Sequence, residues 1–290
     1  MDGIESTLRL YAPFLVSYGA VIVPTAAVCF LLAYLLNRRA KSGTFYVERT
    51  TDDAQDDDDN SHPSSHEYDD DAEHIPYRAD VYPQEEMIAR SEAFHMMMQK
   101  RRTVRFFTDR PIPRTIIENV LYAAGASPSG ANSQPWTYVV VSNPATKAEI
   151  RDIIEAEERI NYERRMGDAW VKELRILKTS WRKPHLETAP YVIVVLRQLY
   201  GVRSDGSRKN YYYTDISVAI SVGILLAGLQ NVGLVTTTTT PLNAGPALRK
   251  LLQRPANERV MLLLPVGYAA EDATVPPLRR KSLDEQFLWV

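Results

Sequence analysis

The pattern of hydrophobic and polar positions divides the chain into an apolar N-terminal run, a polar stretch and a long segment of alternating elements. Residues 11–36 contain no charged side chain, and Arg38, Arg39 and Lys41 follow them closely. About 20 apolar residues are enough for a helix to cross a bilayer core. We therefore predict one transmembrane helix over residues 11–36, after a short segment at 1–10. A buried core helix or an uncleaved signal sequence is the alternative.

The order of the charges favours a retained anchor, because the basic residues of a signal peptide precede its apolar core. By the positive-inside rule, the residues after the anchor lie in the cytoplasm. We therefore expect a single-pass protein of the plasma membrane or of a vesicle membrane. Residues 37–82 begin with the basic stop and continue as an acidic stretch, with eleven acidic residues and no Lys or Arg from Asp52 to Glu73. Such a composition predicts a disordered tether.

The remaining segment, residues 83–290, alternates helical and strand patterns and predicts one α+β domain. A nearly apolar helix over 215–233 resembles a second span, but its Asp215 and Gln230 favour a buried core or subunit-interface helix. The other predicted helices cover 84–102, 114–125, one or two helices within 144–181, and 243–253; the predicted strands cover 136–142, 191–198, 234–240 and 259–268.

Composition and charge narrow the chemistry. The only cysteine is Cys29, inside the predicted anchor, which excludes an intramolecular disulfide, a Cys-rich metal site and a thiol nucleophile in the domain. No metal site is predicted. From His74 onward the chain has 29 Lys plus Arg against 22 Asp plus Glu, a balance of +7. This mild excess suits anionic ligands, and we find no nucleic-acid-binding motif.

Four short segments could carry chemistry, although each also has an ordinary structural interpretation. Arginines in "KRRTVRFF" can bind phosphate or remain solvated, and "ASPSGANSQPW" can admit a flat ring or simply form a turn. The threonines of "TTTTTPLN" suit a strand, or can present a hydroxyl to a ligand. The basic "PLRRK", residues 277–281, can reach the same anion or lie on the surface.

Taken together, these segments resemble the nitroreductase-like FMN flavoproteins over residues 95–290. Within that family, "EERINYERRMGDAW", "LKTSWRKPHLETAP" and "TTTTTPLNAGPALRKLLQRP" are similar to the iodotyrosine deiodinases. The resemblance implies a nitroreductase-like α+β fold, with a central mixed β-sheet flanked by helices. It also implies an intertwined homodimer with FMN at the interface between its subunits.

The resemblance also implies which residues hold the cofactor. The arginine segment at residues 101–105 and the late Arg280 are expected to contact the phosphate, ribityl chain and pyrimidine edge of FMN. The turn at residues 128–130 and the threonines at residues 238–240 are expected to contact its ring. Thr240 is expected to hydrogen-bond flavin N5 and to favour one-electron steps, although Thr239 is an alternative partner. The full set is Arg101, Arg102, Thr103, Val104, Arg105, Pro128, Ser129, Gly130, Thr238, Thr239, Thr240 and Arg280.

The implied substrate is a halotyrosine, whose zwitterionic end needs an acid and a base. Glu158 and Tyr162 are four residues apart and share a helix face, and Lys183 supplies a cation. In the family pattern these three clamp the amino-acid end, and the backbone N–H of Ala131 faces the phenolate oxygen. On this interpretation, the residues of the turn at 128–131 are small so that the flavin ring and the substrate can both contact its backbone. The alternative for the clamp residues is a solvated helix surface.

The expected activity is FMN-dependent reductive dehalogenation of 3-iodotyrosine and 3,5-diiodotyrosine, with bromo- and chlorotyrosine as further candidates. The charged clamp segment is expected to act as a lid. No G-x-G-x-x-G fingerprint is present, so the sequence does not identify the direct electron donor; an NADPH-dependent partner reductase is the candidate. A general nitroreductase or quinone reductase, and a non-catalytic flavin-binding membrane protein, are the alternatives.

Overall fold

A computed structural model describes residues 73–290, and residues 79–290 form one compact unit. The predicted anchor and nearly all of the acidic stretch lie outside the described residues. Within them, the α-helices are α1 (Gln84–Gln99), α2 (Arg114–Gly125), α3 (Pro144–Ile160), α4 (Gly167–Ile176), α5 (His185–Thr188), α6 (Thr214–Asn231) and α7 (Gly245–Leu251). The strands are β1 (Trp136–Val141), β2 (Tyr191–Gln198), β3 (Tyr200–Val202), β4 (Arg208–Asn210), β5 (Val235–Thr236) and β6 (Glu258–Gly267).

The main sheet has the order β1-β2-β6-β5, and every pair in it is antiparallel. Val194 of β2 lies opposite Val139 of β1 and Leu263 of β6. The expected mixed sheet is therefore wrong for the named strands. Among the described residues, the one parallel pairing is an isolated bridge between Thr103 and Thr236. Apolar runs show that a strand is buried but not in which direction it pairs.

Helices cover both faces of this sheet, because β2 alternates its apolar side chains between two cores. Ile193 and Val195 pack in a cluster with residues of α2 and α6. Val192, Val194 and Leu196 pack in a second cluster with residues of α3, α5 and α7. All five side chains are fully buried. The predicted helix-flanked α+β fold is thus confirmed.

The structure departs from the sequence prediction at the threonine run and adds two short elements that were not predicted. The threonine run forms a strand only at Val235–Thr236, and Thr239 then makes a separate antiparallel bridge with Leu263. The segment over 144–181 contains two α-helices, α3 and α4, in agreement with the prediction, and the π-helix at Asn161–Arg165 between them was not predicted. The hairpin β3–β4 was not predicted, because its three-residue strands are too short to show a period.

The apolar helix α6 is long and apolar enough to cross a membrane by length and composition. One of its sides packs in the first core through Val218, Val222, Leu225 and Leu229. The predicted core-helix interpretation is therefore confirmed for this side. The other side leaves Ile216 and Ile220 exposed.

Candidate active site

Three arginines meet where α1 ends. Arg101 and Arg102 follow the helix, and Arg280 comes from the C-terminal segment. The Arg280 guanidinium donates to the carbonyl oxygens of Arg101 at 2.6 Å and Met98 at 3.3 Å. Arg102 donates to the carbonyl oxygen of Pro276. These bonds hold the C-terminal segment against the end of α1.

The same guanidinium groups form a cationic cluster. Burial lowers the pKa of Arg101, and the charges of Arg280 and Arg102 lower it further. Within residues 73–290, none of the three forms an ion pair with a carboxylate. Uncompensated arginine forks are suited to bind a phosphate bidentately. The cluster therefore has the chemistry of an anion site.

The next residues connect this cluster to the sheet. Thr103 forms its bridge with Thr236, and the Val104 N–H donates to the Thr236 carbonyl at 3.2 Å. Val104 is buried, whereas Arg105 is half-buried beside a cavity of about 110 Å³. The cavity also touches residues 176–178 at the end of α4 and residues 274–277. Burial lowers the pKa of Arg105 and the nearby Tyr162 phenol opposes this, so these two side chains interact.

The turn between α2 and β1 is strained. Ala131, Asn132 and Gln134 have positive φ angles of 48°, 51° and 45°. Such angles are uncommon outside glycine, and they concentrate at functional sites. The Ser129 hydroxyl stabilises the turn by accepting from the Gln134 N–H at 2.9 Å. The Ala131 N–H donates to no backbone carbonyl of the described residues, so it is available to a ligand.

Gly130 has a packing role in addition to the expected one. A Cβ at this position would lie 2.8 Å from the Tyr212 carbonyl oxygen and 3.3 Å from Cδ2 of Tyr213. Its amide donates weakly to the Ser217 hydroxyl at 3.4 Å. The turn, with exposed Pro128 at its start, therefore lies against the beginning of α6.

The threonine run presents alternate residues to solvent. Thr236 and Thr237 are buried, Thr238 and Thr240 are exposed, and Thr239 is between these extremes. Both backbone groups of Thr239 are used by Leu263, at 2.9 and 2.8 Å. Thr240 is thus an exposed residue at the end of the run, and its contact with flavin N5 stays a prediction.

Glu158 and Lys183 form a buried ion pair. The Lys183 Nζ is 3.2 Å from Glu158 Oε2, and the side chains are 8% and 11% exposed. Lys183 also donates to the Ser180 carbonyl at 2.6 Å, and its Nζ lies 5.6 Å from the centre of the Tyr162 ring. The alternative of a solvated helix surface is therefore wrong for Glu158 and Lys183. The structure brings all three predicted clamp residues together.

The surroundings of the pair shift its chemistry. Burial lowers the pKa of Lys183, while the neighbouring Glu158 raises it. Burial also raises the pKa of the Tyr162 phenol, and the nearby Thr179 hydroxyl opposes this shift. Glu155 fixes the chain at this point, since its Oε1 accepts from the Lys183 backbone N–H at 2.7 Å.

Two further residues of this site were not predicted from the sequence. Asn161 is 1% exposed, and its Nδ2 donates to Glu158 Oε1 at 3.2 Å. His185 is 6% exposed, and its Nε2 is buried without a hydrogen-bond partner among the described residues. An asparagine inside a charged helix was a usable signal for the first, because asparagine disfavours helix interiors. No pattern indicated the second.

The predicted residues fall into two groups. The charge of Arg105 affects the pKa values of Tyr162 and Lys183, so the arginine segment and the clamp are electrostatically coupled. The turn at residues 128–131 contacts the start of α6 instead. No hydrogen bond or ion pair between described residues connects this turn to the arginines.

Comparison with known proteins decides the family. The model of the nitroreductase family matches residues 98–268, which contain most of both groups. The chain belongs to the nitroreductase family. Two relatives in this family are the iodotyrosine deiodinase of Nematostella vectensis, 53% identical over 219 residues, and iodotyrosine deiodinase 1 of Homo sapiens, 51% identical over 224 residues. The alignments cover 75% and 77% of this chain and 83% and 78% of the relatives.

A solved nitroreductase-family structure agrees with this assignment. It is an oxidized iodotyrosine deiodinase bound to FMN and 3-iodo-L-tyrosine, with a TM-score of 0.58 and 30% sequence identity. The match covers 68% of this chain and 100% of that one. The predicted resemblance to iodotyrosine deiodinases is therefore confirmed.

The residues present fit the FMN of this nitroreductase-family fold. An uncompensated cluster of three arginines suits its phosphate, and a half-buried Arg105 suits an anionic ring edge. The turn offers a backbone amide rather than a bulky side chain, which suits a flat ring.

Proposed function

We propose that this protein is an FMN-dependent iodotyrosine deiodinase, which reduces halotyrosines to tyrosine and halide and so salvages iodide. The observation that carries this proposal is the buried pair of Glu158 and Lys183 beside Tyr162. Two opposite charges shielded from water match the ammonium and carboxylate of one amino acid. A nitroarene or a quinone has no such ends, which disfavours a general reductase.

Binding of a zwitterion would divide the existing ion pair. Glu158 would receive the ammonium group, and Lys183 would receive the carboxylate. Because both groups are already desolvated, each new contact forms at a low cost of removing water. Tyr162 lies in the π-helix, a helix type that often marks functional sites. The following helix α4 has no buried residue, which supports the predicted role of this segment as a lid.

The arginine segment would hold FMN beside this clamp. Arg101, Arg102 and Arg280 would bind the phosphate, and Arg105 would stabilise negative charge on the reduced ring. When bound, FMN supplies the two electrons that, with one proton, replace the carbon–halogen bond by carbon–hydrogen and release halide. The Ala131 N–H would donate to the substrate's phenolate oxygen, and Thr240 would donate to flavin N5.

A homodimer would unite the two groups of residues. The turn at residues 128–131 would complete the site of a second copy, which explains why no described contact joins it to the arginines of its own chain. Exposed Ile216 and Ile220 on α6 offer an apolar surface for that copy. The exposed apolar residues near the C-terminus, Leu283, Phe287, Leu288 and Trp289, suit a segment that wraps around a partner.

The remaining parts of the proposal concern supply and location. A reductase that uses NADPH would deliver the electrons, and residues 11–36 would anchor the enzyme with its domain in the cytoplasm. The most direct test uses the full chain, loaded with FMN and reduced anaerobically by dithionite. Addition of 3-iodotyrosine should release iodide and reoxidise the flavin. A yellow protein that dithionite reduces but iodotyrosine leaves reduced would refute the enzyme and favour a non-catalytic flavin-binding protein.

Glu158→Gln separates a deiodinase from a general reductase. The variant loses a charge that faces the ammonium group, so kcat/KM for 3-iodotyrosine should fall roughly 30-fold, about 2 kcal/mol. Turnover of a nitroarene should be unchanged. Glu163→Gln removes an exposed acid from the adjacent π-helix and is the matched control. Unaltered iodotyrosine kinetics in Glu158→Gln would remove the clamp from the proposal.

A further inference from the structure

Asn161 is the one buried amide in contact with the clamp acid among the described residues. It follows Glu158 by three residues, so the two side chains lie on adjacent turns of the same helix face. Its Nδ2 donates to Glu158 Oε1 at 3.2 Å, while Glu158 Oε2 is 3.2 Å from the Lys183 Nζ. The two carboxylate oxygens therefore have different partners. One is held by the protein's own amide, and the other faces a charge that a ligand can replace.

Arg165 determines which way this amide points. Its Nη1 donates to Asn161 Oδ1 at 2.9 Å and also contacts Glu157 Oε2 at 3.0 Å. A rotated amide would set its NH2 against the guanidinium and its oxygen against the carboxylate of Glu158, and both contacts would be repulsive. The guanidinium thus keeps Nδ2 directed at Glu158.

The backbone of Asn161 is equally constrained. Its carbonyl accepts from the Met166 N–H at 2.9 Å, a π-helical bond that spans five residues. Asn161 is therefore the residue at which α3 changes to the wider helix that carries Tyr162. Asparagine gives up helix propensity at this position, so its amide must have a local use.

We propose that Asn161, oriented by Arg165, is a positioning residue that fixes Glu158 to receive the substrate's ammonium group. This inference rests on the proposed deiodinase function. Without the amide, Oε1 has no donor in this pocket, and the carboxylate can rotate away from the ligand. Asn161 therefore contributes to selection of an amino acid over a simple phenol and leaves the reduction step unchanged.

The test compares two substrates that share the reacting ring. In full-length protein loaded with FMN, Asn161→Ala should raise KM for 3-iodotyrosine about tenfold, the usual loss for one hydrogen bond to a charged group. kcat should change little. Halide release from 2-iodophenol, which has no ammonium group, should stay within about twofold of wild type, because it needs no clamp.

Three further variants complete the design. The aspartate in Asn161→Asp has the same shape as asparagine, so this variant tests the proposal if Asn161→Ala fails to fold. It should raise KM for iodotyrosine further, because it places a second carboxylate beside Glu158. Arg165→Met should give a smaller rise in the same direction. Arg164→Gln changes an exposed residue of the same π-helix and should match wild type.

Each outcome decides for or against the role. A fall in 2-iodophenol turnover equal to the fall with iodotyrosine would show that Asn161 acts only structurally and would overturn the inference. So would an unchanged KM in Asn161→Asp. Failure of the proposed function is distinguishable, because wild-type protein would then release no iodide from either substrate.

Discussion

At the scale of single residues, burial rather than residue type separates the site from the surface. Glu158 lies close in sequence to an acid that pairs with an arginine at the surface, because Glu163 of the following π-helix pairs with Arg159. Such exposed pairs contribute little to stability. The Glu158–Lys183 pair is shielded, so removing either partner leaves an uncompensated charge. The charge pattern could not reveal this difference, since both acids occur in the same "EERINYERR" stretch.

His185 predicts a pH dependence of stability. Burial, together with the charges of Lys183, Arg105 and Arg151, lowers its pKa from 6.5 to about 4, whereas Glu155 opposes this shift. Between these two values the unfolded chain binds a proton that the folded protein does not, so stability rises with pH across this window. On acidification from pH 7 to 4.5 this residue should cost about 2–3 kcal/mol of the free energy of unfolding.

Urea denaturation of wild type and His185→Gln at both pH values measures this contribution. The variant should lose clearly less stability than wild type between pH 7 and 4.5. His95→Gln changes an exposed histidine of α1 and should reproduce the wild-type dependence. If His185→Gln and wild type lose equal stability, the histidine is not held neutral in the fold.

At the scale of elements, long apolar runs were predictable and short or direction-dependent features were not. The bounds of α2 and β2 agree with their sequence patterns because buried β-branched runs and a 3.6-residue period are strong signals. Threonine favours strands in general, yet the run pairs with β6 continuously only at Val235 and Thr236, and then again at the isolated bridge of Thr239. Which residues of that run find a partner depends on the register of β6, and this is tertiary information.

The turn after α2 shows how one element constrains another. Gly130→Ala should destabilise the protein by about 1–3 kcal/mol, because its Cβ would lie 2.8 Å from the backbone oxygen of Tyr212, which cannot move freely. Gly125→Ala is the control, since a Cβ there meets nothing within 4 Å and alanine favours the helix that it ends. Thermal unfolding should show a lower midpoint for the first variant only. Equal midpoints would mean that the turn and the start of α6 are not in fixed contact.

At the scale of the whole molecule, the described chain contains both groups of site residues but does not join them. Arg105 of the arginine segment is electrostatically coupled to Tyr162 of the clamp, while the turn with Ala131 contacts the start of α6. Family membership was predictable, because it follows from short motifs at fixed spacing. The joining of these groups was implied by the resemblance alone, since sequence patterning contains no information about a second subunit.

The exposed side of α6 gives this arrangement a direct test. In a two-fold interface each subunit presents the same surface, so lysines at Ile216 and Ile220 would bring four like charges into one apolar contact. The Ile216→Lys, Ile220→Lys double variant should sediment as a monomer and lose FMN on dialysis, because the turn of the second copy would be absent. Replacement of both residues by valine keeps the surface apolar and should retain the dimer and its yellow colour. If the lysine variant stays dimeric and keeps FMN, the contact between subunits lies elsewhere on the protein. If it becomes a monomer and still keeps FMN, one chain completes the cofactor site alone.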